Sequence, residues 1–125
     1  MPTSEKILFG SAAAVIGVFS ALGFYLIEGE PVIKSLVITG HNHILSFAYG
    51  AILFGLLLKI VNLTEPRKIV LSVWMATTFF GPLALICAGF TGNTSFLPVT
   101  SPVFEGSFVV LWLIIFWLLM RRERI

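Results

Sequence analysis

Charged residues are scarce in this sequence. Of its 125 residues, 11% are charged and 58% are hydrophobic, whereas a soluble domain carries roughly a quarter charged residues. So few charges cannot cover a surface that faces water on every side. The composition therefore excludes an ordinary soluble domain and predicts a single integral membrane domain over residues 1–125.

Residues that usually carry catalysis are also few. The single cysteine, Cys87, excludes an internal disulfide and any CxxC motif. The sequence has no basic run, so nucleic acid is not an expected partner. It has no recognisable Ser/His/Asp set, phosphate-binding loop or pair of mid-membrane carboxylates, so the chain is not expected to be catalytic by itself.

Long apolar runs account for most of the chain. They predict helices over residues of about 7–27, 41–61, 69–90 and 104–120, with outer loops over 28–40 and 91–103. About 20 residues at 1.5 Å each cross a hydrocarbon core of about 30 Å. The predicted fold class is an all-α membrane protein, a four-transmembrane-helix bundle. Gly81-Pro82 predicts a kink in the third helix, and the β-branched segment 32–39 is predicted to lie at the membrane interface or against the bundle.

Basic residues are distributed unequally between the two ends of this bundle. An even number of spans puts both termini and the turn near residues 62–68 on one side, and all of the lysines and arginines except Lys34 fall there. Because cytoplasmic segments carry an excess of Lys and Arg, this pattern predicts that both termini are cytoplasmic. We expect the plasma membrane of a prokaryote, with the histidines on the non-cytoplasmic side.

Small residues recur on the first predicted helix. Ala13, Gly17 and Ala21 are spaced four residues apart. Such a stripe lets a second helix approach closely, because packing rather than hydrophobicity drives helix association in lipid. The stripe is a candidate contact with another helix, and the expected partners of the chain are the lipid bilayer and other membrane subunits of a complex.

The only histidines of the chain, His41 and His43, open the second apolar run. On a regular helix they point about 200° apart and cannot share an ion, whereas an extended lead-in at His41 would let the rings converge. Imidazole suits copper and zinc, and Glu30, Cys87 or Glu105 could add a ligand. The alternative is a pair of interfacial histidines that bind water and loop carbonyls.

His43 is also a candidate haem ligand. It shares a helical face with Ser46 and Gly50, and small residues leave room for a flat cofactor or for a closely packed helix. A haem held by two histidines within one chain needs a second histidine on another helix, which this sequence lacks. Haem would therefore bind between two copies or against another subunit.

The stretch His41-Asn-His-Ile-Leu-Ser-Phe-Ala-Tyr-Gly50 resembles the start of the second helix in the catalytic subunit of C-type haem-copper oxidases, and more loosely small four-helix proteins related to that subunit. There, a haem-ligating histidine precedes a Phe-Ala-aromatic-Gly segment by the spacing that His41 has to Phe47. The resemblance implies that His41 ligates haem. The other haem and copper histidines have no counterpart in this chain, so oxygen reduction is not implied.

Three functions are compatible with these features. The first is an accessory subunit of a larger membrane metalloenzyme, such as a respiratory haem-copper oxidase or a copper membrane monooxygenase, holding a metal or haem near the outer face. The second is a self-contained haem- or metal-binding membrane protein that works as a homo-oligomer. The third, a small transporter, is disfavoured because no charged residue is predicted in mid-span and no broken-helix repeat is visible.

Overall fold

The computed structural model describes residues 1–28 and 31–123 and is all-helical over those ranges. Four segments of the described chain are long and apolar enough to cross a membrane, which is the predicted number of such segments. One of these segments is divided into two helices. In chain order, the helices are α1 (Thr3–Glu28), α2 (Lys34–Leu58), α3 (Glu65–Thr77), α4 (Phe80–Thr91) and α5 (Leu97–Glu123).

Helix α2 is central to the bundle, since it contacts α1, α3, α4 and α5. Three of its glycines face three different neighbours. A Cβ added at Gly55 would lie 2.7 Å from a ring atom of Phe9 in α1. A Cβ added at Gly40 would lie 2.7 Å from a backbone oxygen of α4, and a Cβ added at Gly50 would lie 2.7 Å from the ring of Phe108 in α5. These glycines therefore set how closely α2 approaches each neighbour.

The N-terminus of α1 and the connection between α2 and α3 lie at the same end of the bundle. The backbone N–H of Ser4 donates to Oε1 of Glu65 at 2.9 Å, and Lys59 Nζ lies 3.7 Å from Oε1 of Glu5. Arg121, near the end of α5, lines a groove with Asn62 of the same connection. We call this the basic end; the opposite end, with the α1–α2 and α4–α5 connections, is the histidine end.

Helix α2 begins at Lys34, so the predicted start near His41 is wrong. Segment 32–39 lies against the bundle, which is one of its two predicted positions. Tertiary contacts account for the difference. The N–H of Ile33 donates to the carbonyl of Gly89 at 2.8 Å, and Val37 is fully buried where Gly89 leaves room for its side chain. Packing against α4 therefore overrides the weak helix propensity of the β-branched residues.

The predicted kink in the third span is a break between α3 and α4 at Thr78 and Phe79. Pro82 has no N–H with which to bond the carbonyl of Thr78 four residues earlier. The N–H of Gly81 donates to that carbonyl instead, at 3.1 Å. The tighter turn satisfies the freed carbonyl and lets the two helices follow one another across the bundle.

Helix α5 begins at Leu97, within the predicted loop 91–103. Gly92 ends α4 in the left-handed conformation, with φ of 75° and its N–H bonded to the carbonyl of Ala88 at 2.8 Å. Pro98 then occupies the first turn of α5, where a missing N–H has no cost. The predicted loop 91–103 is therefore shorter than expected. Its first part forms the connection between α4 and α5, and its second part forms the start of α5.

The interior is packed with apolar side chains, and the outer surface is apolar as well. Phe54, Ile44 and Leu111 are buried, whereas Leu113 and Phe116 on α5 are each 62% exposed. In water such exposed apolar surface would be unusual. It is compatible with an integral membrane protein, which the composition predicts.

Candidate functional site

The two histidines lie within the regular part of α2, well after its first residue. His41 is therefore helical and not part of an extended lead-in. The two rings do not converge on one ion, as an extended lead-in would have allowed. His41 faces α1 and His43 faces α5. The pair divides into two separate environments.

His41 packs against the backbone of α1. Its Nε2 lies 2.9 Å from the carbonyl oxygen of Phe19, and because a carbonyl only accepts, Nε2 carries the proton and donates it. Gly23 makes the approach possible, since a Cβ there would lie 2.5 Å from Nε2. The nitrogen engaged in this bond is not free to bind a metal while the bond persists.

His43 faces a carboxylate. Its Nδ1 lies 3.6 Å from Oε1 of Glu105, and the two side chains are 46% and 40% exposed. Glu105 lies well inside α5 and not at the start of a helix over the predicted range 104–120, so the helix dipole does not account for its place. The structure instead brings Glu105 to His43, two of the residues that the sequence nominated as metal ligands.

A column of aromatic rings runs inward from His43. The ring of Phe47 is parallel to His43 at 6.4 Å between centroids and is stacked on Phe108 at 4.1 Å. Trp112 follows edge-on at 6.4 Å from Phe108, and Phe54 at 5.9 Å from Trp112. Sequence reasoning missed this column, although its signal was present as rings four residues apart, His43 and Phe47 on α2 and Phe108 and Trp112 on α5.

The face that His43 shares with Ser46 and Gly50 is occupied by a neighbouring helix. Phe108 fills the space over Gly50, and the hydroxyl of Ser46 donates to the carbonyl of Asn42 at 2.9 Å. Of the two possibilities open at the level of sequence, a flat cofactor or a close helix, the structure contains the close helix. A cofactor on this face would have to displace Phe108.

Cys87, a further nominated ligand, is not drawn into this site. Cys87 is on the exposed side of α4, and Glu30 lies outside the described residues. Within residues 1–28 and 31–123, no group of three or more His, Cys, Asp or Glu side chains is placed to hold a metal ion. The described donor set is therefore one imidazole, His43, with one carboxylate, Glu105.

Comparisons with known proteins give no identification: no protein-family model, no curated protein and no solved structure matches this chain.

Proposed function

We propose that this protein is an accessory subunit of a larger membrane metalloenzyme, of the haem-copper oxidase or copper monooxygenase type. It binds the assembly through the outer face of α1 and contributes His43 as one ligand of a copper or haem iron at the histidine end. The observation that carries the proposal is an unused helix-packing surface on α1, described next.

One face of α1 consists of small residues that have no close neighbour in the described part of the chain. Among the described residues, an added Cβ at Gly10 or Gly17 would have no heavy atom within 4 Å, and the small side chains between and beyond them, Ala13, Ala14 and Ala21, are exposed. Glycine inside a helix costs about 1 kcal/mol relative to alanine, and this bundle gains no close contact from either one. A partner helix that packs on this face would gain that contact.

The chemistry at the histidine end fits a shared site better than a self-contained one. A metal-ligating histidine usually turns its second ring nitrogen toward a carboxylate, which orients the ring and makes it more basic. Nδ1 of His43 faces Glu105 in this way, which leaves Nε2 for a metal. One imidazole is an incomplete donor set, so the partner subunit supplies the remaining ligands. We assign this role to His43 rather than to His41, because Nε2 of His41 is bonded to α1.

The orientation follows from the basic end. Lys6, Lys59, Arg67, Lys68 and Arg121 lie at that end, and the positive-inside rule places it in the cytoplasm. His43 then faces the outside of a prokaryotic plasma membrane. In intact cells, with Cys87→Ser as background, a membrane-impermeant maleimide is expected to label Ser95→Cys and to leave Thr64→Cys unlabelled. The reverse pattern would contradict this orientation.

The assembly is tested by substituting the α1 face. Gly17→Leu is expected to release the chain from its complex during mild detergent purification from native membranes. Gly106→Leu is the matched control, because Gly106 on α5 also has no atom within 4 Å of an added Cβ. Co-migration of both variants with large partners would exclude α1 as the contact, and wild-type chain that migrates alone would exclude the subunit proposal.

The metal is tested on the same purified complex. His43→Phe keeps the ring stack on Phe47 but removes the ligand, and is expected to lower the copper or haem content by one equivalent per chain without releasing the subunit. His41→Phe is expected to leave the content unchanged. Equal metal and haem content in wild type and His43→Phe would contradict the assignment of His43 as a ligand.

A further inference from the structure

The basic end of the bundle carries a groove that is unrelated to the histidines. It lies between α5 on one side and α3 with its preceding connection on the other, and has a volume of about 830 Å³. Ligand sites commonly measure about 300–1,000 Å³. The groove is therefore large enough to hold a substantial part of a small amphipathic molecule.

The two ends of this groove differ in chemistry. Val70, Ile114 and Leu118 form apolar walls, while Arg67 and Arg121 lie among its lining residues near the helix ends. From Ile114 to Arg121 the helix rises about 10 Å, so the apolar walls extend about that far below the arginines. A ligand with an anionic head and an apolar tail matches this arrangement.

The arginines of the groove have no carboxylate partner among the side chains that the structure describes. Glu65, the nearest acid in sequence to Arg67, accepts the N–H of Ser4 on the α1 side. Glu5 faces Lys59. These two acids thus lie on the α1 side, and among the described side chains no carboxylate neutralises the two arginines of the groove.

Arg121 is also held in position. Its guanidinium carbon lies 5.4 Å from the ring centroid of Trp117, which itself lines the groove and is 56% exposed. A cation over an indole face is attracted to it, and Trp is typical of the level of the membrane where head groups lie. A planar guanidinium held at that level is suited to bind a phosphate through two hydrogen bonds.

We propose that this groove is a binding site for an anionic phospholipid of the cytoplasmic leaflet, with the phosphate at Arg67 and Arg121 and an acyl chain along α5. Basic pockets between membrane helices on the cytoplasmic side bind such head groups. The lipid fills the space between α3 and α5 and links the connection after α2 to the end of the chain.

The test is native mass spectrometry of the full chain, released from membranes that contain equal amounts of phosphatidylglycerol and phosphatidylcholine. Wild type is expected to retain phosphatidylglycerol preferentially. Arg67→Gln with Arg121→Gln is expected to lower that preference roughly thirtyfold. The control is Lys6→Gln with Lys59→Gln, which removes the same amount of charge from the same end but outside the groove. This control is expected to keep the preference for phosphatidylglycerol. Equal loss in both double variants, or no loss in the arginine variant, would overturn the proposal.

A second variant separates lipid binding from simple charge attraction. Ile114→Trp fills the apolar part of the groove without changing a charge, and is expected to release the phosphatidylglycerol while circular dichroism stays as in wild type. Inorganic phosphate added to the wild type is expected not to displace the lipid. Retention of the lipid by Ile114→Trp, or its displacement by phosphate, would show that the groove does not hold the acyl chain.

Discussion

His41 and Gly23 are matched across the contact between α2 and α1. A Cβ added at Gly23 would lie only 2.5 Å from Nε2 of His41. In the absence of that Cβ, Nε2 donates to the carbonyl of Phe19 at 2.9 Å. A histidine that bonds the backbone of a neighbouring helix requires the absence of a side chain at this point. The pair fixes how α1 lies on α2 near the histidine end.

Gly23→Ala tests this match directly. Alanine favours the helix by about 1 kcal/mol, but its Cβ would force the ring of His41 out of its bond, at a cost of about 1–3 kcal/mol. We expect a net loss of stability in thermal unfolding of the isolated chain in detergent. Gly17→Ala, where the added Cβ meets no atom within 4 Å, gains the same helix propensity and is expected to raise the unfolding temperature. A Gly23→Ala variant as stable as Gly17→Ala would contradict the match.

The two histidines are therefore expected to differ in their contribution to stability, with His41 contributing more than the exposed His43. His41→Phe keeps a ring but removes the donor, and we expect a loss of about 1 kcal/mol, typical of one internal hydrogen bond. His43→Phe removes a half-exposed contact with Glu105 and keeps the stack on Phe47, so its stability is expected to stay within about 0.5 kcal/mol of wild type. Chemical denaturation of both variants measures the difference; the opposite order would show that the roles are reversed.

The sequence predicted the spans but not how they meet. Long apolar runs and Gly81-Pro82 determine the number of helices and the break in the third span, because both act locally. The start of α2 at Lys34 depends on Val37 packing against Gly89, a contact between residues far apart in the chain. The β-branched residues before His41 led to the wrong predicted start of α2, because tertiary packing overrides weak helix propensities.

In the candidate site, too, the sequence predicted the feature that depends on local geometry and not the feature that depends on contacts between helices. The divergence of His41 and His43 follows from helical geometry, and the sequence predicted it for a regular helix. The meeting of His43 with Glu105 depends on the register of α5 against α2, which the stacking of Phe47 on Phe108 at 4.1 Å fixes. No pattern within either helix sets that register, so the pairing could not be predicted from the sequence.

The buried hydroxyl of Ser72 is expected to be dispensable. Its Oγ has no hydrogen-bond partner among the residues of the described chain, and a buried polar group left unpaired costs about 1–3 kcal/mol. Ser72→Ala is therefore expected to hold or raise the unfolding temperature. Thr78→Val is the contrasting variant, because Oγ1 of Thr78 donates to the carbonyl of Met75 at 2.6 Å, and it is expected to lower that temperature. If Ser72→Ala destabilises as much as Thr78→Val, the Ser72 hydroxyl contributes a bond.

The contact between Gly50 and Phe108 gives a prediction about the aromatic column. An added Cβ at Gly50 would lie 2.7 Å from Cζ of Phe108. The ring cannot move aside easily, because it is stacked on Phe47 on one side and meets Trp112 edge-on. Gly50→Ala is therefore expected to cost about 1–3 kcal/mol through overpacking, despite the better helix propensity of alanine.

A double-mutant cycle with Phe108→Leu tests whether this cost arises at that one contact. The smaller leucine leaves space for the Cβ, so the Gly50→Ala cost is expected to be smaller in the Phe108→Leu background, with a coupling of at least about 0.5 kcal/mol. Because Trp112 then loses its edge-on contact with the Phe108 ring, the tryptophan fluorescence of the double variant is also expected to shift. Strictly additive losses of stability would mean that α5 does not pack on α2 at this register, and the approach of Glu105 to His43 would then have no support.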